Sequence, residues 1–265
     1  MIENFAVISG TIDSDKNLKY ITETAKNRYS QYTTAHHEWI DSVEESEYRK
    51  ALNQVRIDPK ILDKIKEKFP NSSIKSVTEA DEIYWAVSPK GATGSDRSLV
   101  DCHYDSPFAI IPTGGVTFYR VIIACNENKT VTTVFPDEKI SVRMNTKDFH
   151  GLDYNKDIHC VEGSIPENKF RVLLKMHYII TPYGSEQYEY PIRAINVFWT
   201  QFSRETMRMS ANPKYPHEYI VSFIVNFCRV VFNNIYIILL ILIIALVFFK
   251  KTLFNMKKLK NFFRF

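Results

Sequence analysis

Apolar and polar positions alternate along this chain with one period at the front, another in the middle and none near the end. Between residues 39 and 55, Trp39, Ile40, Val43, Ala51, Leu52 and Val55 recur at three- and four-residue spacings, which predicts helix. Asp58-Pro59 then supplies an N-cap with proline at the first helical position. Ile61, Leu62, Ile65 and Phe69 form the stripe of that short helix, and Pro70-Asn71 ends it. From about residue 80 the period falls to two. Glu82–Val87 alternates as a strand does, and Pro89–Ser95 holds turn residues. Runs rich in β-branched and aromatic residues follow at Val116–Cys125, Thr130–Phe135, Lys139–Met144, Ile158–Val161 and Phe170–Thr181, separated by Gly, Pro, Asn and Asp. Short strands without long helices between them predict an antiparallel sandwich or barrel, joined to the helical front in one α+β unit. After a loop holding Pro182, Gly184 and Pro191, a helix is expected over Ile192–Met209, with Ile195, Phe198, Trp199 and Phe202 on one side. The expected divisions are a helical part over 1–80, a β core over 81–181, a loop, helix and juxtamembrane segment over 182–218, an anchor region over 219–249 and a tail over 250–265.

Periodicity then disappears. Ile235–Phe249 is fifteen apolar residues without a charge, with Ile235, Leu239, Leu242, Ala245 and Phe249 among them. Counted from Val230 the run is twenty residues, about 30 Å of helix at ~1.5 Å per residue, the thickness of a bilayer core. A C-terminal membrane anchor is therefore expected, with lipid as a partner. The net charge of +4 lies almost wholly behind it, because residues 250–265 carry six cations and no acid, leaving −2 for the rest. The domain thus has no basic excess to suggest nucleic acid as a partner. The first residues are too short and too acidic for a signal peptide, so the domain is expected in the cytosol, although the basic tail by itself argues for the reverse orientation. Cys102, Cys125, Cys160 and Cys228 show no close pairing and are expected to be buried, reduced thiols.

The candidate chemistry lies in Asp101-Cys102-His103-Tyr104-Asp105-Ser106-Pro107. In an extended chain, residues two apart share a face, so His103 and Asp105 can point at one metal. His159 follows in the strand-like stretch Asp157–Val161. Two imidazoles and one carboxylate on one side of a metal leave the other positions open, a donor set suited to non-haem Fe(II) and O₂. Arg171, at the start of the next strand, could grip the distal carboxylate of a diacid. Lys169 and Lys175 alternate onto the same face and are rivals for that role. His150 with Asp153 is a rival to His159, though Gly151 and its polar neighbours predict a loop there. His36-His37 reads as an exposed pair in a helix-like stretch, and His177 as a core-strand or surface position.

Over about residues 99–180, one third of the chain, this set resembles the 2-oxoglutarate/Fe(II)-dependent oxygenases, particularly the prolyl 4-hydroxylase-like branch. The likeness is carried by His103-Tyr-Asp105-Ser-Pro107, the strand Tyr119–Asn126, and Thr133-Val-Phe135-Pro136. Phe149–Gly163 corresponds to the segment with the distal histidine, and Arg171–Tyr178 to an arginine-led final strand. The resemblance implies a double-stranded β-helix (jelly-roll) core, Fe(II) held by His103, Asp105 and His159, and 2-oxoglutarate held by Arg171, with ascorbate as reductant. It implies a hydroxylase acting on a protein side chain or on another substrate at the membrane surface. A different class of function also follows from the same residues. A non-catalytic β-sandwich displayed on a membrane as a structural or adaptor component, such as an envelope protein of a large DNA virus, needs the fold and the anchor but no metal.

Overall fold

The computed structural model describes residues 6–32, 35–87, 102–163, 165, 169–211 and 213–233. The chain divides into two compact units, Met1–Gln201 and Phe202–Phe265. In the first, the chain order is β1 (Ile8–Thr11), α1 (Asp15–Tyr29), β2 (His36–Trp39), α2 (Ser46–Arg56), α3 (Pro59–Lys68), β3 (Ser72–Ser76) and β4 (Glu82–Val87). Then come β5 (Thr117–Ala124), β6 (Asn128–Phe135), β7 (Ile140–Met144), β8 (Asp148–Asp153), β9 (Cys160–Gly163), β10 (Phe170–Pro182) and the first part of the long helix α4 (Glu186–Ala211), whose last residues belong to the second unit.

The strands form two antiparallel sheets, one ordered β1-β8-β5-β10-β4-β2 with β3 also paired to β10, the other ordered β7-β6-β9. Strand alternation divides the large sheet into two chemically different faces. Ile83 and Trp85, Tyr119, Val121 and Ile123, and Val172, Leu174, Met176 and Tyr178 all pack with Leu18, Ile21 and Ala25 of α1, Leu52 and Val55 of α2 and Ile61 and Ile65 of α3. The intervening residues, Glu82 and Tyr84, Arg120 and Ile122, His150 and Leu152, and Arg171, Leu173, Lys175 and His177, face the other way. There Tyr84, Ile122, Leu152 and Leu173 pack with Phe135 and Met144 of the small sheet. Gly151 interrupts β8 because the Tyr119 ring lies over it, 2.6 Å from where a Cβ would stand.

Several expectations are corrected here. The first 80 residues are not purely helical, since β1, β2 and β3 all join the large sheet. His36 and His37 lie in β2, where cross-strand pairing with Tyr84 and Trp85 outweighs the helical spacing of Trp39, Ile40 and Val43. The segment around Gly151 is a strand between β1 and β5 rather than a loop, because both flanking edges are available to it. The helix expected over Ile192–Met209 begins at Glu186 and takes in Pro191. Its first turns are held by Glu189 bonded to Lys75 at 2.7 Å and to Thr181 at 3.0 Å. The thiols are not all reduced, because Cys102 and Cys160 form a disulfide across 58 residues; Cys125 is free and buried, Cys228 free and exposed.

In the second unit, α5 (Pro216–Asn233) is anchored at its start by Glu218, which accepts from Tyr215 N at 3.2 Å and pairs with Arg208 at 2.8 Å. Tyr219, Ile220, Phe223, Ile224 and Phe227 are exposed on it. Among the described residues no helix is long and apolar enough to cross a membrane. The expected span over 230–249, with Ile235, Leu239, Leu242, Ala245 and Phe249, lies almost wholly outside the described residues, and the tail over 250–265 entirely so.

Candidate metal centre

The site begins with a short backbone bridge. His103 and His159 are antiparallel partners whose N–H and C=O groups exchange hydrogen bonds, 3.0 Å in each direction. In such a pair the next residues along each strand also stand opposite each other, and these are Cys102 and Cys160, with Cα atoms 4.2 Å apart. Alternation turns the two sulfurs to one face and the two imidazoles to the other, where the rings lie 4.6 Å apart between centroids. Asp105, two residues beyond His103, returns to the imidazole side. Its backbone carbonyl accepts from Trp199 Nε1 of α4 at 3.1 Å, and Trp199 also packs edge-on against Phe108.

One ligand atom from each of His103, Asp105 and His159 lies within 4.8 Å of the other two. His159 Nδ1 faces the Asp157 carbonyl at 3.3 Å, which can only accept, so the proton belongs on Nδ1 and the Nε2 lone pair is left for a ligand. That Nε2 is 3.8 Å from Asp105 Oδ2. Burial holds the His159 pKa below the usual imidazole range, with Asp105 pulling the other way, which favours the neutral, metal-binding form. Two imidazole nitrogens and a carboxylate fit a divalent transition metal of the non-haem iron type.

Arg171 is buried on β10, and burial lowers its pKa to about 10, with Tyr84 acting in the opposite sense. It shares its face with Lys175 and His177, and both Arg171 and His159 act electrostatically on His150. His150 does not join the metal set: it is buried in β8 with Nδ1 3.1 Å from Met144 Sδ. Asp153 lies apart as well, closing the turn to Asn155. Lys169 precedes the strand and is exposed, and Lys175 is paired with Glu82 at 3.0 Å. Glu82 also meets His37 Nδ1 at 2.9 Å, so His37 is part of this interior and not an exposed histidine.

Sequence reasoning gave no role at the site to Arg120 or Asp81, placed His177 only as a core-strand or surface position, and placed Trp199 only on the apolar side of a helix. Arg120 Nη1 is 2.7 Å from Asp105 Oδ2, its Nε donates to His177 Nε2 at 2.9 Å, and its guanidinium lies 4.5 Å from the Tyr154 ring centre. One signal was available: Arg120 is the only charged residue in the run Val116–Cys125. A charge in the middle of a buried strand calls for a buried partner.

No protein-family profile matches the chain, and no curated protein sequence matches it. Among solved structures, it is similar to the non-haem α-ketoglutarate-dependent epimerase SnoN of nogalamycin biosynthesis, at 14% identity over 66% of this chain and 78% of that one, with a TM-score of 0.47. It is also similar to the viral collagen prolyl hydroxylase of Paramecium bursaria Chlorella virus 1 in complex with 2-oxoglutarate, at 10% identity over 66% and 95%, TM-score 0.44. A third is the Trichoplax adhaerens prolyl hydroxylase in complex with a hypoxia-inducible-factor peptide, at 12% identity over 71% and 86%, TM-score 0.47.

Proposed function

We propose that the chain is an Fe(II)- and 2-oxoglutarate-dependent dioxygenase that hydroxylates a protein side chain or another substrate at a membrane surface. The observation that carries this reading is the convergence of His103, Asp105 and His159, which lie up to 56 residues apart in sequence, on one interior face. Iron bound there, with 2-oxoglutarate and O₂, would supply oxidising power that no side chain has, giving succinate, CO₂ and a hydroxylated product. The protein's part is to present a neutral His159 Nε2, a carboxylate and His103 from a two-strand bridge whose backbone is closed by hydrogen bonds on both sides. Arg171 is the group for the distal carboxylate of the co-substrate. On the same face of the large sheet, Arg120 stands against Asp105 at 2.7 Å and Lys175 against Glu82 at 3.0 Å. The charge-free run Ile235–Phe249 supports a bilayer anchor.

A second reading is a non-catalytic, membrane-displayed adaptor. It is favoured by one observation, the guanidinium of Arg120 already seated on the Asp105 carboxylate.

The test uses the full chain in detergent micelles with Fe(II), ascorbate and 2-oxoglutarate, following succinate. The expected result is iron-dependent succinate formation, or metal-dependent 2-oxoglutarate binding, abolished by His103→Ala. Arg171→Ala should raise the 2-oxoglutarate KM or Kd by about 30-fold or more, the loss expected for truncating one side of a buried charge pair. Folded protein with neither turnover nor metal-dependent binding leaves the adaptor reading.

A further inference from the structure

We propose that Arg120 is the positioning residue of the Asp105 carboxylate, itself held in register by His177 and Asp81. The proposal rests on the metal-centre reading above and adds to it a relay of buried groups that begins on α2.

A guanidinium only donates hydrogen bonds. His177 Nε2, 2.9 Å from Arg120 Nε, must therefore accept, which places the His177 proton on Nδ1. Nδ1 faces Asp81 Oδ1 at 3.2 Å, and the same oxygen takes the His177 backbone N–H at 2.6 Å. The other oxygen, Asp81 Oδ2, takes Arg56 Nε at 2.5 Å. Every proton along the line is thus assigned by its neighbour. Arg56 and His177 both donate to Asp81, Arg120 donates to His177, and Arg120 Nη1 meets Asp105 Oδ2 at 2.7 Å.

His177 and Asp81 are completely buried and Arg120 is 2 % exposed. Burying a guanidinium carries a heavy desolvation cost, and Asp105 at Nη1 and His177 at Nε, with Glu82 Oε1 3.9 Å from Nη2, offset it only in one orientation of its plane. The Tyr154 ring under the guanidinium closes the remaining direction. A group so constrained can hold a carboxylate in place before a metal arrives. Asp105 Oδ2, the atom that Arg120 engages, is also the one 3.8 Å from His159 Nε2. The bland reading is that these are charges satisfying one another, with no bearing on a metal. The two differ in what His177 must supply: stability needs its bond to Asp81, whereas positioning needs its acceptor toward Arg120.

That difference is testable. His177→Asn keeps a donor near Nδ1 but has nothing at the Nε2 place, and His177→Gln keeps an acceptor at the Nε2 place. Mn(II) alone would be titrated into the full chain in detergent micelles, read by electron paramagnetic resonance of free Mn(II), with circular dichroism and thermal melting alongside. The expected result is that Arg120→Gln and His177→Asn, both folded, weaken Mn(II) binding by about 10- to 100-fold, as removal of outer groups does at metal sites. His177→Gln should stay within a few-fold of wild type. Unchanged or tighter binding in folded Arg120→Gln or His177→Asn would overturn the proposal, as would a loss in His177→Gln equal to that in His177→Asn. Should Arg120→Gln fail to fold, the two His177 variants decide alone. Absence of any wild-type Mn(II) site that His103→Ala removes would sink the metal-centre reading itself, and this proposal with it.

Discussion

His150 shows how one buried side chain carries a pH dependence of its own. It is fully buried in β8, and burial, reinforced by His159 and Arg171, lowers its pKa to about 3. In the unfolded chain it titrates near 6.5, so between pH 6.5 and 3 the unfolded state binds the extra proton and stability falls as the pH falls. His177 and His159 are shifted in the same direction by burial. Asp153, raised by burial to about 6, and Asp81, raised by burial to about 8, work against them over most of that window. The contribution of His150 is isolated by a difference. In the metal-free protein, His150→Leu should flatten the pH dependence of unfolding free energy relative to wild type by about 1.4 kcal/mol per pH unit, measured by denaturant melts between pH 4 and 6. Parallel wild-type and variant profiles would show that His150 is protonated in the folded state. At this same scale the His103–Asp105 pair was legible, because His-x-Asp in an extended stretch puts both side chains on one face. Arg120 was not assigned because its meaning depends on Asp105 and His177, contributed by distant parts of the chain.

At the scale of elements, the bridge between the His103 segment and the strand entering β9 is the critical piece. It comprises one hydrogen-bonded residue pair and the disulfide beside it. A bond closing 58 residues removes about 4 kcal/mol of loop entropy from the unfolded state on the chain-entropy account. Reduction, or the double change Cys102→Ser with Cys160→Ser, should therefore lower stability by up to that amount in a denaturant melt. It should also weaken Mn(II) binding, since the two imidazoles are attached to the stapled residues. Equal Mn(II) affinity in oxidised and reduced protein would show that the bridge's hydrogen bonds suffice. β4 was readable from alternation, β5 and β10 from their runs of β-branched and aromatic residues, and α3 from its Asp58-Pro59 start, with Asp58 Oδ1 accepting from Lys60 N at 3.0 Å. β2 and β8 were not, because both are short, polar and stabilised by neighbours that periodicity does not reveal.

For the molecule as a whole, the large sheet separates an apolar interior on its helical side from a charged interior on the side of the small sheet. Leu, Ile, Val and aromatic residues occupy the first, and Glu82, Arg120, Arg171, Lys175 and His177 alternate with apolar residues on the second. Membrane attachment, proposed from the run Ile235–Phe249, is a property of the rest of the chain. Full-length protein should co-float with phosphatidylcholine vesicles and resist alkaline carbonate extraction, whereas a chain ending at residue 229 should not. Extraction of the full chain by carbonate would remove the anchor from the proposal.

The sequence by itself determined what depends on local spacing: α+β elements, the strand cores, the capped helix, the His-x-Asp pair and a hydrophobic run long enough for a bilayer. Those features are set by period, by cap chemistry and by transfer free energy, all of which act within a few residues. The tertiary structure alone decided the Cys102–Cys160 disulfide, the approach of His159 to His103 and Asp105, the pairing of Lys175 with Glu82, and the line from Arg56 to Asp105. Each of these is a contact between groups far apart in the chain. Buried charges are tolerated only where such partners meet, and which partners meet is set by sheet order and register rather than by sequence spacing.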